Sequence, residues 1–353
     1  MSLSTTTAAP AISFTSDNIA GASPTIIEAV AAAAGGSAPP YGADDSTVAV
    51  KHKLSRIFER EVDVLLVSTG SAANALCLAT LTPPWGSVLC HSDSHINNDE
   101  CGAPEFFTAG AKLVPMSGND AKIDPTQLRK AVNRKVGDVH SVQPATLSIT
   151  QATESGSVYT LDEIHELTRI ARAADMRVHM DGARFANAVV SLGCTPAEMT
   201  WRAGVDALSL GATKNGAMTA DVIVMFDQTS ADEAAYRHKR AGQLASKMRF
   251  QAAQIVAYLE DDLWLRNARH ANMMASRLAQ GLNHTPGVGV LGTPQANIVF
   301  CQLPPQLING LLARGYTFYH DRWEPGTTRF VTSFATTTEE IDGLLSSIRR
   351  LAG

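Results

Sequence analysis

One lysine stands in a short loop of small residues, where its amine could act on a bound small molecule. The run Leu208-Ser-Leu-Gly-Ala-Thr-Lys-Asn-Gly-Ala-Met218 predicts a strand that ends in a glycine-bounded turn carrying Lys214. An amine that is partly removed from water has a lowered pKa and becomes nucleophilic, as Schiff-base chemistry requires. Lys214 is therefore a candidate nucleophile, and a solvated loop lysine is the alternative interpretation of the same residues.

An acid and a guanidinium lie at the end of another predicted strand, in the run Val178-His-Met-Asp-Gly-Ala-Arg184. At the mouth of a sheet, Asp181 could hold a protonated ring nitrogen through a charge-assisted hydrogen bond. Arg184 offers a planar fork that suits a carboxylate. A helix-capping aspartate with a structural ion pair explains the same run without any ligand.

Two upstream segments add a candidate phosphate site and a histidine. Ser68-Thr-Gly-Ser-Ala-Ala-Asn74 follows an apolar run and opens a helix, so its N–H groups and hydroxyls suit a phosphate, although ordinary capping looks similar. In His91-Ser-Asp-Ser-His95, an imidazole that follows a strand could stack on an aromatic cofactor or move protons. Metal ligation by His91, Asp93 and His95 lacks a second set of ligands, so no metal site is predicted.

These groups need a scaffold, and the alternation of strand and helix patterns predicts an α/β fold with a mostly parallel sheet between helices. Helical patterns include 72–81 and 160–174, the second with a capping box of Thr160 and Glu163. The predicted strands are 62–67, 87–91, 112–115, 146–150, 177–180, 207–210 and 221–226. Because ligands bind at the C-terminal ends of such strands, the four groups are expected to meet there. Together they are the parts that pyridoxal phosphate requires.

The pattern changes after residue 230. Residues 231–282 are almost continuously helix-compatible and contain no proline, which predicts a long helix. Strands at 297–303 and 329–334, with helices at 305–314 and 338–351, then predict a smaller α+β unit. We therefore expect a tail (1–15), a large domain (16–230), and a long linking helix with a small C-terminal domain (231–353).

Composition narrows the class of protein. The 353 residues are 45% hydrophobic and carry a net charge of −5, so a large core is available and the basic surplus typical of nucleic-acid or membrane binding is missing. No apolar run approaches the ~20 residues of a membrane span, and the first ten residues lack the basic residues of a signal peptide. Five cysteines without a CxxC pair predict free thiols in a reducing compartment. We expect a cytoplasmic enzyme.

Seven segments carry a resemblance to a known family: Ser16-Asp17, Tyr41-Gly-Ala-Asp-Asp-Ser-Thr47, Ser68 to Asn74, Ile149-Thr-Gln-Ala-Thr-Glu-Ser-Gly156, Asp181-Gly-Ala-Arg184, Thr213-Lys-Asn-Gly216 and Arg329 to Thr332. In this order they resemble the fold-type I pyridoxal-phosphate enzymes. Within that group the chain is similar to the low-specificity L-threonine aldolases and the phenylserine aldolases. One departure lies in the lysine turn, which reads Gly211-Ala212-Thr213 where relatives more often have two glycines.

The resemblance implies a role for each cofactor residue. Lys214 would hold pyridoxal phosphate as a Schiff base, and Asp181 would pair with the pyridine nitrogen. Gly70 and Ser71 would bind the phosphate, and His95 would stack on the ring.

It also implies how the substrate is held. His140 is similar to a second family histidine that approaches the substrate hydroxyl, so either it or His95 would be the catalytic base, directly or through water. The residues expected at the substrate carboxylate are Ser16, Arg184 and Arg329, and Arg184 is also expected near the cofactor. The residues expected to serve a neighbouring subunit's site are Tyr41 toward the substrate, Arg240 and Arg249 toward the cofactor, and Lys239. A homodimer or homotetramer follows from this expectation.

The implied reaction is retro-aldol cleavage of L-threonine or L-allo-threonine to glycine and an aldehyde. The run Gln151-Ala-Thr-Glu154 extends the expectation to substrates of the phenylserine type. The same parts could instead run transamination or β-elimination, and a catalytically silent pyridoxal-binding protein is an alternative from another class.

Overall fold

A computed structural model describes residues 12–352, apart from the side chain of Gln228. The predicted tail, 1–15, lies mostly outside the described residues. Within these residues the strands are β1 (Ile12–Ser13), β2 (Asp63–Val67), β3 (Gly86–His91), β4 (Lys112–Met116), β5 (Gln143–Thr150), β6 (Arg177–Gly182), β7 (Ala207–Leu210), β8 (Asp221–Met225), β9 (Gly289–Leu291), β10 (Ile298–Gln302), β11 (Tyr316–Thr317) and β12 (Thr327–Val331).

The α-helices within residues 12–352 connect these strands and pack against them. They are α1 (Pro24–Ala33), α2 (Asp45–Ile57), α3 (Gly70–Leu81), α4 (His95–Asn98), α5 (Ala103–Phe107), α6 (Pro125–Ala131), α7 (Leu161–Arg172), α8 (Phe185–Leu192), α9 (Pro196–Met199), α10 (Ala231–Arg240), α11 (Arg249–Leu259), α12 (Leu263–Asn283), α13 (Pro305–Leu312) and α14 (Thr338–Ala352). The predicted capping box at Thr160 and Glu163 is present at the start of α7.

A seven-stranded sheet forms the centre of the larger unit, in the order β2-β8-β7-β6-β5-β3-β4. All neighbours are parallel except β8, which is antiparallel to β7 and β2. Strands covered on both faces become continuous apolar runs, and all five residues of β8 are buried. The predicted α/β architecture with a mostly parallel sheet is confirmed.

The prediction of one long helix at 231–282 is wrong, because the helix is interrupted twice within this range. Residues 241–248 separate α10 from α11, and Gly242 lies there at φ = 73°. A second break precedes α12, where Asp261 and Asp262 have φ of 46° and 54°. Aspartate tolerates this left-handed conformation better than most side chains do, so three consecutive acids can turn the chain without glycine or proline.

A smaller sheet, in the order β12-β10-β9, forms near the C-terminus, and β1 pairs with β11. These strands pack with α12, α13 and α14 around a separate apolar cluster that contains Phe14, Leu278 and Phe330. Helix α11, by contrast, packs in the larger core with α1 and α2, through Ile255 and Tyr258. The domain boundary at residue 230 stays a prediction.

Among residues 12–352, no helix combines the length and the apolarity needed to cross a lipid bilayer.

Candidate active site

A cavity of about 380 Å³ opens at the C-terminal edge of the central sheet. Ser68 to Ser71 follow β2, His95 follows β3, Asp181 lies at the end of β6, and Lys214 follows β7. All of them line the cavity, together with Asn18, Asn74, Asp99, Glu100 and Asp221. The sheet therefore brings five of the eight residues predicted at the cofactor together where parallel strands end, whereas Arg184, Arg240 and Arg249 do not line this cavity.

The phosphate candidate is the first turn of α3. The Thr69 hydroxyl accepts a hydrogen bond from the Ala72 N–H (3.1 Å) and so caps the helix. Within the described residues, the N–H groups of Gly70 and Ser71 have no hydrogen-bond partner. Free N–H groups at the positive end of a helix suit a phosphate.

Asp221 holds the turn that carries Lys214. Its Oδ1 accepts hydrogen bonds from the N–H groups of Ala212 (2.7 Å) and Thr213 (3.0 Å), and its Oδ2 accepts one from the Thr213 hydroxyl (3.2 Å). Burial raises the pKa of Asp221 although these donors and Lys214 oppose the shift. The side chain of Asp221, at the start of β8, thus holds the lysine turn in place through three hydrogen bonds.

The same turn leaves no room for a side chain at Gly211. A Cβ built there would lie 2.5 Å from the carbonyl oxygen of Ala183, so residue 211 has to be glycine. Ala212, at the position where a second glycine is more usual, is fully buried. Ala212 has a φ of −125°, outside the left-handed region that favours glycine, so the turn does not need a second glycine.

A buried chain of hydrogen bonds connects Asp181 to His95. The Asn74 amide nitrogen donates to Asp181 Oδ2 (3.0 Å) and to Glu100 Oε1 (2.8 Å), and Glu100 Oε1 also lies 2.7 Å from His95 Nδ1. Asp181 Oδ1 accepts from the Ala183 N–H (3.0 Å). Asn74 and Asp181 are almost completely buried, so the position of the acid is firmly set.

These groups fit pyridoxal phosphate. The cavity combines phosphate-binding N–H groups, an acid for a ring nitrogen and a lysine on three neighbouring elements. Two polar atoms in the buried part of it, Asn74 Oδ1 and Glu100 Oε2, have no hydrogen-bond partner within the described residues. Buried polar atoms rarely stay unpaired, so the cavity is built for a polar ligand.

Comparisons with known proteins find relatives in one family of lyases. The sequence pattern of the beta-eliminating lyases matches residues 13–304. The chain belongs to this family. A low specificity L-threonine aldolase of Pseudomonas aeruginosa is 42% identical over 340 residues, which are 96% of this chain and 98% of that relative. Another, from Pseudomonas sp. (strain NCIMB 10558), is 40% identical over 336 residues, 95% and 96% of the two chains.

A solved structure agrees with these relatives. The threonine aldolase of Leishmania major superposes with a TM-score of 0.91 at 26% identity, over 97% of this chain and 100% of that one. The family resemblance predicted from the motifs is therefore confirmed.

The two arginines expected to bind the substrate carboxylate lie beside the cavity. Arg184 donates two hydrogen bonds to Asp17 and is almost fully buried. Burial and the neighbouring Arg184 lower the pKa of Arg329. Arg329 lines a second cavity of about 890 Å³, and Asp99 lines both cavities, so the two adjoin.

Ser16 has a local structural contact. Its hydroxyl accepts a hydrogen bond from the Asn18 N–H (3.1 Å), and Asn18 lines the smaller cavity. Ser16 itself is not among the residues that line it.

His140 does not lie at this site. It precedes β5 and lines a separate groove with Lys112 and Arg134. Thr150, at the other end of the eight-residue β5, pairs with Asp181. A strand of this length spans about 25 Å, so His140 lies far from the cavity of its own chain, and its approach to a substrate hydroxyl stays a prediction.

The residues predicted to serve a neighbouring subunit also lie outside the smaller cavity. Lys239 Nζ lies 4.8 Å from the centroid of the Tyr41 ring, and Tyr41 is half exposed. Arg249 donates weakly to the Gly36 carbonyl oxygen (3.4 Å), and its Nε is buried without a partner among the described residues. Arg240 ends α10 and is exposed. Their role in a neighbouring site stays a prediction.

Several residues of the site were not predicted from the sequence. Asn74 and Asp17 lie within the matched motifs, but their types alone assign them no role. Asp221 hydrogen-bonds the turn that carries Lys214, and Glu100 hydrogen-bonds His95, but neither role follows from residue type or spacing. A polar residue at the start of an otherwise apolar strand, as Asp221 is, was the one available signal.

Proposed function

We propose that this protein is a pyridoxal-phosphate-dependent low-specificity L-threonine aldolase. It cleaves L-threonine and L-allo-threonine, and substrates of the phenylserine type, to glycine and an aldehyde. The observation that carries the proposal is the meeting of Lys214, Asp181 and the free N–H groups of α3 in one cavity. The relatives of 40–42% identity over nearly the whole chain support the choice of reaction.

The cofactor would be held by three elements of the chain. The N–H groups of Gly70 and Ser71 would bind its phosphate, Asp181 would face its ring nitrogen, and Lys214 would anchor it covalently. When bound, pyridoxal phosphate accepts the electron pair that is released as the Cα–Cβ bond of the substrate breaks.

Two arginines would orient the substrate. Arg184 lies close enough to Arg329 to lower its pKa, and Asp17 forms an ion pair with Arg184. A substrate carboxylate would balance the remaining positive charge and would be held by the arginines beside the cavity. Ser16, next to Asp17, would complete this carboxylate site. Fixing the carboxylate sets which bond at Cα can break.

His95 would take the proton of the substrate's β-hydroxyl, directly or through a water molecule. Its Nδ1 is bonded to Glu100, so Nε2 is the ring nitrogen left for the cavity. A positioned base typically contributes about 10²–10⁴-fold to the rate. The aldehyde then leaves, and glycine is completed when Cα receives a proton.

The deciding experiment mixes the protein and pyridoxal phosphate with L-threonine, L-allo-threonine and L-phenylserine in separate reactions. Glycine with acetaldehyde or benzaldehyde supports the proposal. Ammonia and a keto acid would identify a β-eliminating reaction instead, and amination of an added keto acid would identify an aminotransferase. The absence of any product despite full cofactor loading would indicate a catalytically silent cofactor-binding protein.

The working molecule would be a homo-oligomer in the cytoplasm. Support for the oligomer comes from Tyr41, Lys239, Arg240 and Arg249, which lie outside the chain's own cavity as shared residues would. Support for the compartment comes from the five cysteines, all free thiols. Light scattering coupled to gel filtration separates a dimer or tetramer from a monomer of 37.5 kDa.

A further inference from the structure

Glu100 is a buried acid that no step of the proposed reaction uses. Its side chain is 0% exposed, whereas that of His95 is 30% exposed. Within residues 12–352, no lysine or arginine forms an ion pair with it. A buried carboxylate without a cationic partner is costly, so its nearest neighbours must compensate for it.

Those neighbours are His95 and Asn74, and both contact the same oxygen of Glu100. Oε1 lies 2.7 Å from His95 Nδ1 and 2.8 Å from the Asn74 amide nitrogen. That amide nitrogen carries two hydrogens, so it can donate one to Glu100 and the other to Asp181, 3.0 Å away. The Asn74 amide thus connects the two buried carboxyl groups of Asp181 and Glu100, and His95 is hydrogen-bonded to Glu100 at one end of this network.

This arrangement favours one position for the proton of His95. An ionised carboxylate only accepts hydrogen bonds, so the imidazole must donate from Nδ1 to make the 2.7 Å contact. A neutral imidazole has one N–H, so Nε2 then carries a free electron pair. Because Nδ1 is bonded to Glu100, Nε2 is the nitrogen available to the cavity.

The charges around Glu100 and His95 favour one proton in the hydrogen bond between these two side chains. Burial raises the pKa of Glu100, and the hydrogen bond to Glu100 raises the pKa of His95. The other charged groups that face them are Asp181, which favours a proton on the pair, and Lys214, which opposes one on His95. Asp99, a neighbour in sequence, lines the same cavity.

We propose that Glu100 is a positioning residue that holds the proton of His95 on Nδ1 and thereby makes Nε2 the proton acceptor of the active site. Asn74 ties this pair to Asp181, so the base and the ring-nitrogen acid belong to one hydrogen-bonded unit. The location of the proton is inferred from the contact with Glu100 and does not depend on which reaction the enzyme runs. Only its consequence for turnover rests on the proposed aldolase function.

The direct test is histidine ¹⁵N NMR on the holoenzyme, with His95→Asn to assign the signal. The expected spectrum of neutral His95 has a protonated Nδ1 and an unprotonated Nε2 that titrates. In Glu100→Gln, the Nε2 titration should move to lower pH because the negative partner is gone. A wild-type signal with the proton on Nε2 would overturn the proposal, whatever reaction the enzyme runs.

The kinetic test compares Glu100→Gln and Glu100→Asp with Glu166→Gln, which removes a half-exposed acid paired with Arg129 far from the site. For Glu100→Gln we expect kcat to fall about tenfold or more, with KM and the cofactor's absorption band little changed. The acidic limb of the pH profile of kcat/KM should also move to lower pH. Glu166→Gln should keep the wild-type profile, and Glu100→Asp, which keeps the charge, should retain more of it than Glu100→Gln.

The outcomes separate the two proposals. An unchanged pH profile in a folded, cofactor-loaded Glu100→Gln would show that Glu100 is merely structural. If Glu100→Gln does not fold, the wild-type NMR spectrum still decides where the proton lies. Failure of the wild-type protein to cleave any β-hydroxy amino acid, together with the expected tautomer, would overturn the aldolase proposal and leave this one standing.

Discussion

Both carboxylate oxygens of Asp17 accept hydrogen bonds from the single guanidinium of Arg184. The Nε donates to Oδ2 at 2.7 Å and the Nη2 to Oδ1 at 3.0 Å, and both residues are buried. Asn297 donates to the same Oδ2 (2.9 Å), so the pair joins the N-terminal segment, the end of β6 and the C-terminal unit. Arg184 therefore donates twice to Asp17, whereas Arg329 donates once, to the Thr15 carbonyl oxygen (3.3 Å), so Arg329 would have more donors left for the proposed substrate.

Asp17→Asn should destabilise the fold and weaken substrate binding. Removing one member of a buried ion pair leaves an uncompensated charge, which typically costs about 3–5 kcal/mol. Burial alone would raise the pKa of Asp17, but Arg184 and Lys214 lower it overall. The stabilisation is therefore fully present above the ordinary aspartate pKa of about 4 and is lost as pH falls through the lowered value.

Urea unfolding of the wild type and of Asp17→Asn at neutral pH and near pH 3 measures this directly. The difference in the free energy of unfolding should shrink at the acidic pH. The half-exposed pair of Glu166 and Arg129 provides the control, since Glu166→Gln should change stability little at either pH. A difference that does not depend on pH would contradict the ion-pair account.

Lys214→Ala should abolish the covalent attachment of the cofactor. We expect loss of the lysine-linked visible absorption band and a fall in turnover of about 10³-fold or more, equivalent to about 4 kcal/mol of activation free energy. Lys130→Ala, at an exposed position of α6, is the matched control and should keep both. A Lys214→Ala protein that borohydride still fixes to the cofactor through a lysine would disprove the assignment.

His95→Ala and His140→Ala should behave differently. Because His95 lines the cavity, its loss should lower kcat for L-threonine cleavage by about 10²–10⁴-fold. His140 lies at the opposite end of β5, so His140→Ala should stay within about twofold of the wild type, a change close to the ±0.5 kcal/mol of an ordinary surface substitution. A large loss in His140→Ala would mean that this histidine acts on the site of another subunit. If both variants stay near the wild type, the base is a water molecule or the cofactor phosphate.

The central sheet could be predicted from the sequence because its strands are short, continuous apolar runs. Most predicted bounds differ from the observed ones by a residue or two, although β5 begins at Gln143, three residues before the predicted start. Polar residues such as Asp181 that interrupt those runs at their C-terminal ends identified the site, since parallel strands end at one edge. Local pattern and fold topology together were sufficient there.

The same reasoning failed where tertiary contacts decide the outcome. The breaks around α11 depend on positive φ angles at Gly242, Asp261 and Asp262, which the spacing of apolar residues does not reveal. Glu100 lies in an ordinary polar loop, and its contact with Asn74 crosses 26 residues of chain. The distance of His140 from the cavity of its own chain could not be predicted either, because it depends on the whole length of β5, which separates His140 from Asp181.

Asp221 offers a test of how the lysine turn is held. Asp221→Ala would remove the acceptor of the Ala212 and Thr213 N–H groups, and leaving a buried donor unsatisfied costs about 1–3 kcal/mol. Asp221→Asn keeps the Oδ1 acceptor for both groups and should lose much less. We therefore expect Asp221→Ala, more than Asp221→Asn, to lower both stability and the retention of pyridoxal phosphate on dialysis.

The pH dependence gives this prediction a second, independent readout. Burial raises the pKa of Asp221, so the wild type loses some stability as pH rises from the ordinary aspartate pKa through the raised one. Asp221→Asn does not titrate, so its deficit relative to the wild type should become smaller as pH rises over that interval. Denaturant unfolding at several pH values measures the trend. A deficit of Asp221→Asn that grows with pH would show that the ionised carboxylate itself, rather than its acceptor oxygen, stabilises the turn.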